Sequence, residues 1–163
     1  MEKDDLPLAH RNLPLLLLQA RERVINRFRP LLNAQHITEQ QWRIVRLLLE
    51  SGPLEPRQIG EACNISSPSL AGVLARMQNM GLIDRERFDN DQRRVRVSLS
   101  ARSRTLAERL APKIEAVYSG IEARVGVEFM RRLYAMLDEL VATLDAGDEA
   151  DEDAPSRAAS AGD

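Results

Sequence analysis

A mainly α-helical chain carrying one small β-hairpin is what this sequence predicts, and three observations predict it. Apolar residues recur at helical spacing near both ends, at Leu13, Leu16/Leu17, Ala20, Val24 and Phe28, and again at Leu106, Leu110, Ile114, Val117, Ile121 and Val125. Alternation of polar and apolar residues, with β-branched side chains, clusters only around 83–97. Hydrophobic residues make up 44% of the chain and aromatics 4%, and a core of Leu, Val, Ile and Ala suits helices better than a β-sandwich. The 163 residues suffice for one compact domain, or for a small domain with helical extensions.

The elements follow in order. Residues 1–12 read as an N-terminal arm. The spacing predicts a helix over 13–29, ended near Pro30, because proline has no amide donor and crowds the preceding turn. Thr38 with Gln41 three residues on is a capping box, so a helix TEQQWRIVRLLLE follows, stopped by Ser51-Gly52-Pro53. Pro56 opens a short helix ending near Cys63, and Asn64-Ile65-Ser66 makes a tight turn. Ser67 as N-cap and Pro68 as the first helical residue start another helix, with Leu70, Val73, Leu74 and Met77 inward and Gly81 just past its end. Two short helices across such a turn form a helix-turn-helix. Strands over 83–88 and 94–99 flank the turn residues Asp89-Asn90-Asp91 and place Val95, Val97 and Leu99 on one face. A helix-turn-helix followed at once by a hairpin is a winged helix. A long helix runs from Ser100 towards Val125, with a kink or restart expected at Pro112 and a break at Gly126. A last helix carries Phe129, Leu133, Met136/Leu137, Leu140 and Leu144 at near-heptad spacing.

The predicted organisation is thus a winged helix-turn-helix at 33–99 and a helical dimerisation domain at 13–32 and 100–145, with a disordered acidic tail at 146–163. The long terminal helices have no evident partner in so small a domain. Interlocking with a second copy supplies one, giving an intertwined homodimer.

Charge is unevenly spread. From Asp145 onward seven acids stand against one base, Arg157, so the overall −2 leaves +4 on residues 1–144. Within 76–109 nine arginines face five acids, a balance that suits an anionic partner. The single cysteine, Cys63, excludes an intramolecular disulfide framework. No run of 18 apolar residues predicts a membrane span, and the acidic-leaning MEKDDLPLAH does not read as a secretory signal, so a cytoplasmic protein is expected.

At the hairpin tip lies FDNDQRRVRVSLS. In a winged helix that tip lies beside DNA, where an arginine can enter the minor groove. An acid two residues earlier can hold the guanidinium by charge-assisted hydrogen bonds and aim it. Asp91 is therefore expected to position Arg93, with Arg87, Arg94 and Arg96 near phosphates. A solvated hairpin whose aspartate only shapes the turn is the plainer alternative.

The order of TEQQWRIVRLL, a helix-turn-helix ending in LARMQNMGLI, and DNDQRRVRVSLS before a long helix resembles the MarR family of dimeric winged-helix repressors. The likeness covers about 13–144. Within that family, LLLLQARERVINRFRPLL, ITEQQWRIVRLL and SPSLAGVLARM look most like the homoprotocatechuate-catabolism repressor branch. Pro112 and the acidic tail depart from the family pattern. The resemblance implies a transcriptional repressor that binds a pseudo-palindromic operator on double-stranded DNA as a homodimer. It further implies release by a small aromatic or N-heteroaromatic carboxylic acid and control of an aromatic-catabolic operon.

The recognition helix is expected to enter the major groove by its N-terminal end. Ser66, Ser67 and Ser69 would donate or accept there, Pro68 and Ala71 would make apolar contact, Gly72 would permit close approach, and Arg76 would meet a phosphate or guanine. For an aromatic acid, Arg21, Arg43 and Arg46 offer cations, Trp42 a flat wall and His36 a hydrogen bond to a ring hydroxyl. The alternative is a core Trp42, with the arginines solvated or paired to Glu22 or Glu39. Cys63 as a redox sensor would run a different mechanism on the same fold, although its place on the inward pattern with Ile59 favours a buried thiol.

An enzyme is not expected. H-E-x-x-H, G-x-G-x-x-G, the P-loop and G-x-S-x-G are all missing from the sequence, and no paired Cys/His spacing suggests zinc or another cofactor. A winged helix used purely as a protein-interaction module is the remaining rival, and it has no need of an arginine-rich wing.

Overall fold

The computed structural model describes residues 9–88 and 91–152; the side chains of residues 88, 91–93 and 147–152 lie outside that description. Among the described residues there are six helices and one two-stranded antiparallel sheet, in the order α1 (Leu13–Asn33), α2 (Glu39–Ser51), α3 (Pro56–Cys63), α4 (Ser67–Asn79), β1 (Ile83–Phe88), β2 (Asp91–Leu99), α5 (Ala101–Val125) and α6 (Val127–Glu152). This is the mainly α winged-helix architecture expected from the sequence. The chain divides into two compact units, Met1–Val117 and Tyr118–Asp163.

The first unit holds the winged helix. Its core gathers Ile44, Val45 and Leu48 of α2, Ile59 and Cys63 of α3, and Leu70, Val73, Leu74 and Met77 of α4, closed by Leu82, Ile83, Val97 and Leu99. The inward face expected of α4 is therefore the buried one. Thr38 caps α2 as expected: its hydroxyl accepts from the Gln41 amide at 3.2 Å, and the Gln41 side chain accepts from the Thr38 amide at 2.9 Å. At the end of α4, Gly81 takes φ +67°, a left-handed geometry that suits glycine just past a helix.

Several local expectations shift. The first helix does not stop at Pro30 but runs to Asn33, and α5 runs unbroken through Pro112. Each proline deprives the carbonyl four residues back of its partner. Those carbonyls belong to exposed residues, Asn26 and Glu108, within reach of water. The cap of α4 is Ser66, not Ser67, and its hydroxyl bonds Ser69 Oγ at 3.1 Å rather than a helix amide. Asp91 begins β2 instead of closing the turn, while residues 89 and 90 of the expected turn lie outside the described residues. Gly126, at φ +91°, makes the break between α5 and α6. Helix α6 continues to Glu152, past the residue 146 at which the sequence places the start of the acidic tail. Residues 153–163 of that tail and residues 1–8 of the arm lie outside the described residues.

Strands β1 and β2 pair from Ile83↔Leu99 to Arg87↔Val95, with a register shift between Arg87 and Phe88. One pairing was not legible in the sequence. Leu54, between α2 and α3, exchanges both backbone hydrogen bonds with Val97, at 3.0 and 2.8 Å, and so ties the wing to the start of the helix-turn-helix. A single bridging residue leaves no alternation to read.

Helix α5 starts on a serine pair. Ser100 Oγ donates to the Gly81 carbonyl at 2.7 Å and accepts from the Ser103 amide at 3.2 Å. The fully buried Ser103 hydroxyl donates to the Leu82 carbonyl at 2.6 Å. A Ser103→Ala substitution removes one of that carbonyl's two hydrogen bonds, leaving the Ser100 amide at 3.2 Å, so urea unfolding is expected to show a loss of about 0.5–1.5 kcal/mol. An unchanged midpoint would mean that water takes the hydroxyl's place.

Much apolar surface stays uncovered. On α1, Leu13, Leu15, Leu16, Leu17, Leu18 and Val24 are exposed, and only Phe28 of the predicted stripe is buried. In the second unit, Phe129, Tyr134, Met136, Leu137, Val141 and Leu144 of α6 are exposed.

Candidate functional site

The surface around the α3–α4 turn is built by local chemistry. Asn64 caps α3 in the left-handed conformation, φ 50° and ψ 54°, a geometry that asparagine tolerates. Its amide returns to the Glu61 carbonyl at 3.2 Å, and the Ile65 amide returns to the Gly60 carbonyl at 2.9 Å. The chain then reverses within three residues, and buried Ile65 seats the turn. Gly60 is what lets α3 and α4 approach. A Cβ there would stand 3.1 Å from the Ile65 carbonyl oxygen and 3.3 Å from Leu70 Cδ2.

The first turn of α4 presents Ser66, Ser67, Pro68 and Ser69, all exposed, on the side opposite Leu70, Val73 and Leu74. Ala71 and Arg76 are exposed one turn further along, and Gly72 is half-buried between them. A Cβ on Gly72 would meet Arg76 Nη1 at 3.4 Å, so the Arg76 guanidinium lies back over that glycine. A cavity of ≈ 660 Å³ opens at the same turn, lined by Pro56, Gly60, Ile65, Ser66, Ser67 and Arg85 among others.

On the wing, Arg87 of β1 is exposed. Arg94 of β2 pairs with Glu55 at the start of α3, a second tie between wing and helix-turn-helix. That carboxylate competes with a phosphate for the guanidinium. Asp91 and Arg93 lie in β2, and their side chains fall outside the described residues. Arg102 donates to the Met80 carbonyl at 2.8 Å, which occupies it with the end of α4.

The five effector candidates fall into two groups. Arg21 of α1 and Arg43 of α2 converge on half-buried Glu39: Arg43 Nη2 lies 3.0 Å from its Oε1, and Arg21 pairs with the same oxygen. Arg29 joins from α1 at 3.8 Å and also holds Glu22 at 2.8 Å, while Arg21 holds Glu22 at 2.9 Å. Three guanidiniums thus share two carboxylates, leaving one positive charge in excess. Trp42 and Arg46 form the second group. Both are half-buried, and their i, i+4 spacing stacks them on one face of α2. Arg46 is held by exposed Glu50, at 3.1 and 2.8 Å. His36 is exposed, at φ 55°, in the α1–α2 turn. None of the five lines the cavity at the α3–α4 turn.

Cys63 is buried, and burial pushes its thiol up while nearby Arg43 partly opposes the shift. A thiol that resists ionisation is a poor nucleophile towards oxidants. Among the described residues no group of three or more His, Cys, Asp or Glu is placed to hold a metal, and no helix is long and apolar enough to cross a membrane.

Sequence reasoning missed Gly60, Glu39 as a hub, Leu54 and Ser103. Only the pairing of the effector arginines with Glu22 or Glu39 was foreseen, as the alternative to a ligand site.

The fold has counterparts among known proteins. The MarR family model matches residues 37–95, the stretch from the end of the α1–α2 turn to the middle of β2. The homoprotocatechuate degradative operon repressor of Escherichia coli is 40% identical over 146 residues, covering 90% of this chain and 97% of that protein. The HTH-type transcriptional regulator FarR of Neisseria gonorrhoeae is 40% identical over 137 residues, covering 84% and 94%. Among solved structures, that of NadR in complex with 4-hydroxyphenylacetate superposes with a TM-score of 0.73 at 40% identity, over 83% of this chain and 96% of that one.

Proposed function

The chain belongs to the MarR family of transcriptional regulators, and is therefore a regulator and not an enzyme; from this premise we propose a repressor that binds a pseudo-palindromic operator as a homodimer and leaves it when a small aromatic carboxylic acid binds. One observation carries the reading. The first turn of α4 stands bare, beside an arginine-bearing wing fastened to the same helix-turn-helix through Leu54 and Glu55.

The proposed DNA contacts are Ser66, Ser67, Pro68, Ser69, Gly72 and Arg76 in the major groove, with Arg93 in the minor groove, aimed by Asp91. Arg87 and Arg94 are assigned to phosphates, Arg94 in competition with Glu55. The proposed dimer uses the uncovered leucines of α1 and the apolar stripe of α6.

For the effector, Trp42 and Arg46 offer a flat wall and a cation one turn apart, the cation paired with solvent-exposed Glu50. Arg21, Arg43 and His36 complete the proposed set, the two arginines through the spare positive charge around Glu39. NadR, 40% identical, was solved with a hydroxylated aryl carboxylate, which supports that ligand class for this chain. An N-heteroaromatic acid likewise offers a flat ring and a carboxylate. Control of an aromatic-catabolic operon follows the name of the Escherichia coli relative. The buried, hard-to-ionise Cys63 speaks against oxidant sensing.

The test is a gel shift on the DNA upstream of the coding sequence, at two salt concentrations, with a panel of aromatic acids. Specific binding that weakens steeply with salt is expected, together with release by 4-hydroxyphenylacetate or a near analogue. Arg93→Ala should weaken binding by about 1–3 kcal/mol; an adaptor protein would not respond. Calorimetry should show Arg46→Ala binding the acid at least about tenfold more weakly, since a charge-assisted hydrogen bond contributes about 1.5–3 kcal/mol. Equal affinity would remove Arg46 from the site.

A further inference from the structure

Arg43 makes a contact that an effector ligand has no need of. Its Nη1 donates to the Cys63 backbone carbonyl at 2.5 Å, across 20 residues, while Nη2 holds Glu39. Cys63 is the last residue of α3, and the next residue, Asn64, is the left-handed pivot into the turn before α4. Helix α3 has eight residues, so its end carries carbonyls without helical partners. The turn itself serves Gly60 and Glu61 through the Ile65 and Asn64 amides. The Cys63 carbonyl is served from α2, by a cation placed where the helix dipole is negative. Arg43 is in turn held by Glu39, which Arg21 and Arg29 tie to α1.

We propose that Arg43 is a positioning residue of the DNA reader: it clamps the carbonyl at the pivot of the helix-turn-helix and thereby sets how α4 is presented, with Glu39 holding the clamp in place. The proposal rests on the reading of α4 as the DNA-contacting helix, and it holds whether or not an effector is bound. It assigns Arg43 a duty in the ligand-free protein and makes the α1–α2 charge cluster the element through which a nearby anion reaches the reader. An added carboxylate competes with Glu39 for the same guanidiniums.

Arg43→Met keeps the aliphatic stem and removes both contacts, whereas Arg43→Lys keeps the charge and can serve one partner at a time. Cys63, the only cysteine of the chain and buried beside the clamp, reports local opening through its rate of alkylation by iodoacetamide. With labelling rates compared at equal unfolding midpoints, Arg43→Met is expected to label about tenfold faster. It should also bind operator about tenfold more weakly, with the slope of log affinity against log salt unchanged, because no phosphate contact is lost. Arg43→Lys should fall between wild type and Arg43→Met on both measures. Glu39→Gln should move both in the same direction, by less.

Wild-type labelling and wild-type operator affinity in Arg43→Met would overturn the proposal. So would faster labelling with full affinity, since the clamp would then not act on the reader. A salt slope lower by about one would make Arg43 a phosphate ligand instead. Failure of the underlying reading shows separately, as an unsubstituted chain that binds no DNA, and the labelling rates then judge the clamp alone.

Discussion

Placing two glutamates on α6, in Val141→Glu/Leu144→Glu, is expected to split the protein into single chains and to abolish tight operator binding. Val141 is 58% exposed and Leu144 61% exposed in one chain, on the apolar stripe that the proposed second copy would cover. Burying carboxylates in a shared apolar seam without partners costs far more than such an interface can spare. Sedimentation should read the single-chain mass of 18.4 kDa for the variant and twice that for the wild type. A pseudo-palindromic operator engages both recognition helices at once, so losing the second should weaken binding by about 10²–10⁴-fold. The winged helix lies in the other compact unit, and circular dichroism should show helical content close to that of the wild type. A wild-type protein of single-chain mass would refute the dimer outright.

The second large effect concerns Gly60. Valine at this position is expected to lower stability by about 1–3 kcal/mol through overpacking and to weaken operator binding at least about tenfold. The Cβ alone would stand 3.1 Å from a backbone oxygen that cannot rotate away, and its branches add to the conflict with Leu70. Relief requires α3 and α4 to separate, which moves the exposed serines relative to the wing. Gly120→Ala is the control, because a Cβ there meets nothing within 4 Å and alanine favours a helix over glycine. It should leave both measurements unchanged or raise stability slightly. If Gly60→Val binds operator like the wild type, the spacing of α3 and α4 does not matter to the reader.

How much of this site was legible depends on where each signal lives. The recognition helix was legible because Leu70, Val73, Leu74 and Met77 repeat at helical period and Gly81 stops the helix. Its cap was misplaced by one residue because Ser66-Ser67-Pro68 offers two serines and proline tolerates either adjoining position in the first turn. The end at Pro30 was placed too early, because a helix can carry a proline whose freed carbonyl belongs to a solvent-facing residue, as α1 does at Pro30 and α5 at Pro112. That depends on which side of the helix faces solvent. The effector arginines were found as residue types, but their commitment to Glu39 is a matter of geometry. The sequence offered both pairing and ligand binding.

By itself, then, the sequence determined the order of the helices, the hairpin and its register face, the capping of α2 and the break at Gly126. All of these are announced by period, caps and turn residues, signals that lie within a few positions of one another. Only the tertiary structure decided that Leu54 bridges to Val97, that Ser103 secures Leu82, that Gly60 sets the distance between α3 and α4, and that Glu39 and Arg43 bind α1 to the pivot at Cys63. Leu54 and Val97, Ser103 and Leu82, and Arg43 and Cys63 lie about twenty or more residues apart. No periodicity encodes such a contact; it exists only once packing has brought the two surfaces together.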